Sequence, residues 1–246
     1  MTNRVDLSLE RQTKMRTLEN RWALVTGSSR GIGREIVLGL ARRKCDVIVH
    51  GREIGHTRET VRQAEACGVR VAAVEGDLGT PEGIESVLRG AGRAADRIDI
   101  LYNNAAIQNE WLSVFEIPLD AWRTVFQVNL FAMVALCNAI LPGMRRRNFG
   151  RVINLTSGIQ DTPSLAPYGV SKAAVDKYTR DLAAELRGTN VLVNHLDPGW
   201  LKTDMGGPNA EHAVTSVLPG ALVPALLEDN GPSGRFFAAQ DFKYLD

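Results

Sequence analysis

With 246 residues, 44% hydrophobic and 23% charged side chains and 23 glycines, the chain has an ordinary globular composition and the length of one large domain or two small ones. That excludes a disordered tail, a collagen-like fibre and a disulfide scaffold, and 29 Lys+Arg against 28 Asp+Glu, a net charge of +1, argues against general attraction to nucleic acid. A transmembrane helix is not expected, because no run of about 18 apolar residues occurs.

Residues 1–20 mix Arg4, Arg11, Lys14 and Arg16 with Asp6, Glu10 and Glu19 and lack an apolar stretch. They read as an N-terminal arm, frayed or helical, and not as a secretory signal. From Trp22 onward, short β-rich apolar runs alternate with longer segments of helical period. Strands are expected over 22–26, 46–49, 69–75 and 98–102. Helices are expected over 32–44, 57–67 and 81–95, the last with Pro81 in its first turn. Asp120 is expected to cap a long helix reaching about Arg147, which Pro142 should kink or break. A strand over 152–155, a helix over 168–186, a strand over 191–196 and a short strand over 235–238 complete the chain.

Several of these strands are apolar throughout, as in a parallel sheet covered on both faces. Right-handed crossovers then give an α/β fold, a doubly wound, Rossmann-type parallel sheet of about seven strands flanked by helices. Without an internal linker or repeat, residues 21–246 are expected to form a single domain. Cys45, Cys67 and Cys137 are odd in number and far apart, and no C-x-x-C occurs. His50, His56, His195 and His212 have no metal-ligand spacing. Neither a disulfide framework nor a metal site is expected, and the histidines read as incidental. Reduced thiols fit a cytoplasmic location.

The first strand runs into Thr26-Gly27-Ser28-Ser29-Arg30-Gly31-Ile32-Gly33, where a helix begins. Such a unit turns backbone N–H groups and a positive helix end toward a pyrophosphate; the competing reading is a plain surface turn. Gly27 would allow the tight turn, Gly31 the approach of phosphate, and Gly33 close packing of helix on strand.

The G-x-x-x-G-x-G spacing resembles the short-chain dehydrogenase/reductase family. The resemblance continues through Asn103-Asn104-Ala105-Ala106, Asn129, Ser157, Tyr168-x-x-x-Lys172 and Pro198-Gly199, and covers nearly everything after residue 20. It points to the three-glycine, single-domain branch, and residues 198–208 with 231–236 look most like carbonyl reductases. The resemblance implies a dinucleotide-binding oxidoreductase acting on a small carbonyl or secondary alcohol, with no nucleic-acid or membrane partner. It implies that Gly27, Ser29, Arg30, Gly31, Ile32 and Gly33 hold the phosphates. Asp77 and Leu78 would meet the adenine. Asn104, Ala105, Ala106, Pro198, Gly199, Leu201 and Thr203 would surround the nicotinamide end, with Tyr168 and Lys172 at its ribose.

Gly51 stands where NAD-dependent members place an acid for the ribose hydroxyls, and Arg52 follows it. Arg30 and Arg52 could both face a 2′-phosphate, so NADP, with NADPH preferred over NADH, is the expected cofactor. Tyr168 and Lys172 share one helix face. A neighbouring ammonium, the helix end and the nicotinium charge together could lower the phenol pKa from about 10 toward neutrality. By resemblance Tyr168 is the general acid/base, Ser157 polarises the substrate oxygen and Asn129 joins a proton relay; Thr156 is the rival hydroxyl. Ala106 replaces the family's usual glycine, and the loop over 158–167 is short. The substrate pocket should draw on Gln108, Trp111, Ile159, Trp200 and Met205. With no covering insertion, the helices over 120–147 and 168–187 are expected to pair in a homotetramer or homodimer. A non-catalytic dinucleotide sensor on the same fold is the alternative.

Overall fold

A computed structural model describes residues 18–243. Seven parallel strands stand in the order β3-β2-β1-β4-β5-β6-β9: β1 (Trp22–Val25), β2 (Asp46–Gly51), β3 (Val71–Glu75), β4 (Ile100–Asn103), β5 (Gly150–Leu155), β6 (Val191–Asp197) and β9 (Phe236–Ala238). The expected doubly wound sheet is therefore present. Its order reverses between β1 and β4, which opens a crevice at the carboxyl ends of those strands.

Strand alternation builds two cores. Ala23, Val25, Val47 and Val49 face one side, against Ile36, Val37 and Leu40 of α1 (Gly31–Arg42) and the segment around Leu222. Leu24, Ile48, Leu101 and Val152 face the other. There they meet α3 (Pro81–Ala94), which follows α2 (Arg58–Glu65), and two long helical stretches. One runs Leu119–Arg146, as α4 (Leu119–Phe126), a π-helical turn (Gln127–Phe131) and α5 (Ala132–Arg146); the other is α6 (Ala166–Glu185). The stretch Leu119–Arg146 is long and apolar enough to cross a bilayer, yet Met133, Leu136, Leu141 and Met144 are buried against the sheet. A two-stranded ribbon, β7 (Leu201–Lys202) with β8 (His212–Ala213), follows β6.

Two local expectations are corrected. Pro142 does not break its helix, which continues to Arg146. Pro142 and Asn138, whose carbonyl loses its helical donor, are both exposed, so water can serve that carbonyl. A π-helical turn interrupts the stretch nearer its start. Asp120 is not the cap: Pro118 occupies that position, and Asp120 sits in the first turn, where its charge suits the helix dipole and pairs with Arg123 at 2.7 Å. Of the arm over 1–20, residues 1–17 lie outside the described residues. Leu18 is buried and its N–H donates to the Arg43 carbonyl at 2.7 Å.

Candidate active site

The glycine turn is fixed from three sides. Gly27 has φ +61°, and a Cβ there would lie 2.9 Å from the Ala105 Cα. A Cβ on Gly33 would lie 2.4 Å from the Gly27 carbonyl oxygen, so α1 can approach β1 only with glycine there. The Asn104 side-chain amide donates to the carbonyls of Thr26 (2.8 Å) and Gly27 (3.0 Å), tying β4 to the turn. From β2, His50 Nδ1 accepts the Gly27 N–H at 2.8 Å, while Nε2 lies 3.0 Å from the Gly76 carbonyl. A ring that accepts at Nδ1 and donates at Nε2 is neutral, and burial lowers its pKa, consistent with that state. Sequence reasoning gave His50 no role, because its partners come from the glycine turn and from the end of β3.

Arg30, the residue preceding α1, makes no side-chain cap, and the first turn of the helix has no acid. The uncapped N–H groups open into the crevice, next to left-handed Gly31 (φ +57°), with the Thr203 methyl 3.6 Å from where a Gly31 Cβ would stand. This cradle fits a dinucleotide phosphate. Ser29 supports it through its carbonyl, which accepts from Arg34 Nη2 at 2.6 Å and Thr60 Oγ1 at 3.1 Å. Arg30 is exposed and paired with Asp204 at 2.9 Å, and Arg52 is exposed beyond β2. Asp77 Oδ1 accepts the Gly79 N–H, whereas the Leu78 side chain is buried in the second core, leaving only its backbone to face a ligand. Ala106 does not have positive φ, so its methyl costs no backbone strain.

Tyr168 and Lys172 sit early in α6, on one face as expected. Ser157, just beyond β5, lines the same cavity as Tyr168, and its Oγ accepts the Ile159 N–H at 3.2 Å. Thr156 is buried and its hydroxyl donates to the Lys172 carbonyl at 3.4 Å, whereas Ser157 is only partly buried. The Lys172 ammonium donates to the Leu155 carbonyl at 2.8 Å and lies 5.7 Å from the Tyr168 ring centroid. The expected fall in the Tyr168 pKa is not found in the protein alone. Burial raises it, Asp197 adds to the rise, and the nearby Ser157 hydroxyl opposes both. Burial lowers Lys172 to about 8, against the charges of Asp176 and Asp197 that hold its proton. Asp176 stands one turn beyond Lys172 and is 2.6 Å from the buried His195 ring on β6, a pair that sequence spacing could not reveal.

Asn129 lies in the π turn, a feature often found at functional sites. Its Oδ1 accepts the Ile107 N–H (2.8 Å), and its Nδ2 donates to the Ile107 carbonyl (2.9 Å) and Ser171 Oγ (3.0 Å). Ser171 donates to the Tyr168 carbonyl at 2.7 Å. Asn129 thus clamps the loop after β4 to the helix that carries the tyrosine. A cavity of about 520 Å³ joins Ser157 and Tyr168 to Pro198, Gly199, Leu201 and Thr203, and all five expected pocket residues, Gln108, Trp111, Ile159, Trp200 and Met205, line it.

A family model described as short chain dehydrogenase matches residues 21–213. The chain is 34% identical over 193 residues to dehydrogenase/reductase SDR family member 4 of Rattus norvegicus, covering 78% of this chain and 69% of the relative. It is 32% identical over 242 residues to a short-chain type dehydrogenase/reductase of Picea abies, covering 93% and 89%. A 3-oxoacyl (acyl-carrier-protein) reductase of Agrobacterium tumefaciens with NADP bound superposes with TM-score 0.79 at 28% identity, covering 92% of this chain and 95% of that one. A 3-oxoacyl-[acyl-carrier protein] reductase of Brucella melitensis with bound NAD shares the fold at TM-score 0.82 and 23% identity, covering 97% and 95%.

The fold and the cluster at its crevice are those of a nicotinamide-dinucleotide oxidoreductase. The chain belongs to the short-chain dehydrogenase/reductase family.

Proposed function

We propose that the chain is an NADP(H)-dependent oxidoreductase that interconverts a small carbonyl compound and its secondary alcohol, with Tyr168 as the acid/base. The observation that carries this reading is that Ser157 and Tyr168 line one cavity, which also touches Ile32 in the uncapped first turn of α1. NADP(H), when bound, supplies or accepts the hydride. Tyr168 donates its hydroxyl proton to the substrate oxygen as that oxygen gains charge, and takes it back in the reverse direction. Ser157 hydrogen-bonds the same oxygen. Lys172, held by the Leu155 carbonyl, brings an ammonium behind the phenol and toward the cofactor ribose.

The preference for NADP(H) rests on the end of β2. An acid at position 51 would be crowded, since a Cβ there lies 3.0 Å from Thr57 Cγ2 and 3.1 Å from the Glu53 carbonyl. Arg52 has no ion pair among the described residues and can meet a 2′-phosphate. Arg30 would have to exchange Asp204 for it. The test follows NADPH, and separately NADH, consumption with a panel of aldehydes, ketones and diketones. Turnover with NADPH ahead of NADH is expected; no turnover with either coenzyme contradicts the reading.

The assembly is proposed as a homotetramer or homodimer through α4, α5 and α6. Leu119, Phe131 and Val170 are exposed there, beside the Trp122–Phe126–Phe131 ring series. Light scattering should show an oligomer at micromolar concentration, and a monomer would refute it. The free thiols Cys45, Cys67 and Cys137 support a cytoplasmic location, which fractionation of cells would test.

A further inference from the structure

Resting on that oxidoreductase reading, the charge pattern of the cavity specifies the kind of carbonyl compound it takes. Three segments form the wall, and each is pinned. Asn109 Nδ2 donates to the Ser164 carbonyl at 2.9 Å, which fixes the loop carrying Trp111 to the turn before α6. Trp200 Nε1 donates to the Gly206 carbonyl at 2.9 Å, which fixes the indole plane. Gln108 Nε2 reaches the Met205 carbonyl at 3.5 Å, bridging the two lips. Both indoles line the cavity and remain 65% (Trp111) and 57% (Trp200) exposed, so each has a free surface for a ligand to cover.

Among the described residues the wall contains no Lys, Arg or His, and its one formal charge is the Asp197 carboxylate. The Gly199 N–H holds one Asp197 oxygen at 3.0 Å, and the other lies beside Gly158. Nearby cations are otherwise engaged. Lys172 is buried behind Tyr168 on the Leu155 carbonyl, and Arg30 pairs with Asp204. Lys202 lies between two wall residues, Leu201 and Thr203, but is exposed and not part of the wall, as alternation along β7 requires. Glu110 and Asp161 adjoin wall residues in sequence and add only negative charge.

We propose that the site takes a carbonyl compound with a flat apolar body and no anionic group, its body resting on Trp111 and Trp200 and its oxygen on Ser157 and Tyr168. A carboxylate on the substrate would find no cation in the wall and would be repelled by Asp197. Flat rings gain from stacking on indole faces.

The test compares para-acetylbenzamide with para-acetylbenzoate, two ketones of similar size that differ by one charge. Two readouts are taken: quenching of tryptophan fluorescence, and kcat/KM with NADPH. The amide should bind and react at least about tenfold better than the benzoate. Asp197→Asn keeps an acceptor for Gly199 but removes the charge, and should narrow the ratio between the two ketones. Trp111→Ala should reduce quenching and weaken the amide several-fold. A benzoate as good as the amide, or a ratio unchanged in Asp197→Asn, overturns the inference. Discrimination in quenching with no turnover by either coenzyme overturns the oxidoreductase reading and leaves the pocket assignment standing; turnover without discrimination does the reverse.

Discussion

The two halves of the crevice are built differently. The half under β1 and β2 is made of backbone. Gly27, Gly33, Asn104 and His50 leave one conformation available, and the ligand groups it offers are N–H donors. The half under β5 and β6 is made of side chains from loops and the start of α6, where hydroxyl, carboxylate and indole groups converge on one cavity. A backbone cradle accepts any dinucleotide phosphate, whereas side chains on loops can be exchanged without disturbing the sheet. The difference separates what the fold supplies from what makes this chain selective.

The comparison can be broken most sharply on the side-chain half. Tyr168→Phe removes the proton and keeps the ring, so turnover should fall by about 10² or more with unchanged NADPH affinity. Retained turnover would remove Tyr168 from the acid/base role. On the backbone half, Gly33→Ala puts a methyl against the Gly27 carbonyl. It should lower stability by about 1–3 kcal/mol and weaken NADPH and NADH alike, read by thermal unfolding and coenzyme titration; an unchanged Tm would show that the turn relaxes freely.

Beyond β2, within the backbone half, Arg52→Ala should weaken NADPH more than about tenfold and leave NADH nearly unchanged. Equal effects on both coenzymes would mean that Arg52 is a plain surface residue. The smallest effect is in the pH profile. Lys172 carries its proton below about 8, and reduction should decline as pH rises through that value. Asp176 favours the charged form, so Asp176→Asn should move the decline to lower pH. An unmoved profile would leave Asp176 with only the His195 contact.

How much of this was legible in the sequence follows the same division. The sheet was readable because strands buried on both faces are apolar throughout, and the glycine turn because its spacing is local. The limits lay in contacts between distant segments. Asn104 reads as a cofactor ligand in sequence, which does not show that its amide also braces the turn, and His50 matters through Gly27 and Gly76. Pro142 stays inside a continuous helix, because whether it breaks one depends on whether water reaches the Asn138 carbonyl. For the Tyr168 pKa, spacing shows the lysine nearby but not that its ammonium is committed to the Leu155 carbonyl, nor how deeply the phenol is buried.

Hydride transfer is the central claim, and isotope tracing tests it most directly. NADPH deuterated at its transferable ring hydrogen would be incubated with the protein and an accepted ketone, and the alcohol examined by mass spectrometry and NMR. One deuterium on the carbinol carbon per coenzyme consumed is the predicted result. Coenzyme consumption with no deuterium in the alcohol, or an alcohol labelled only from solvent, would contradict it.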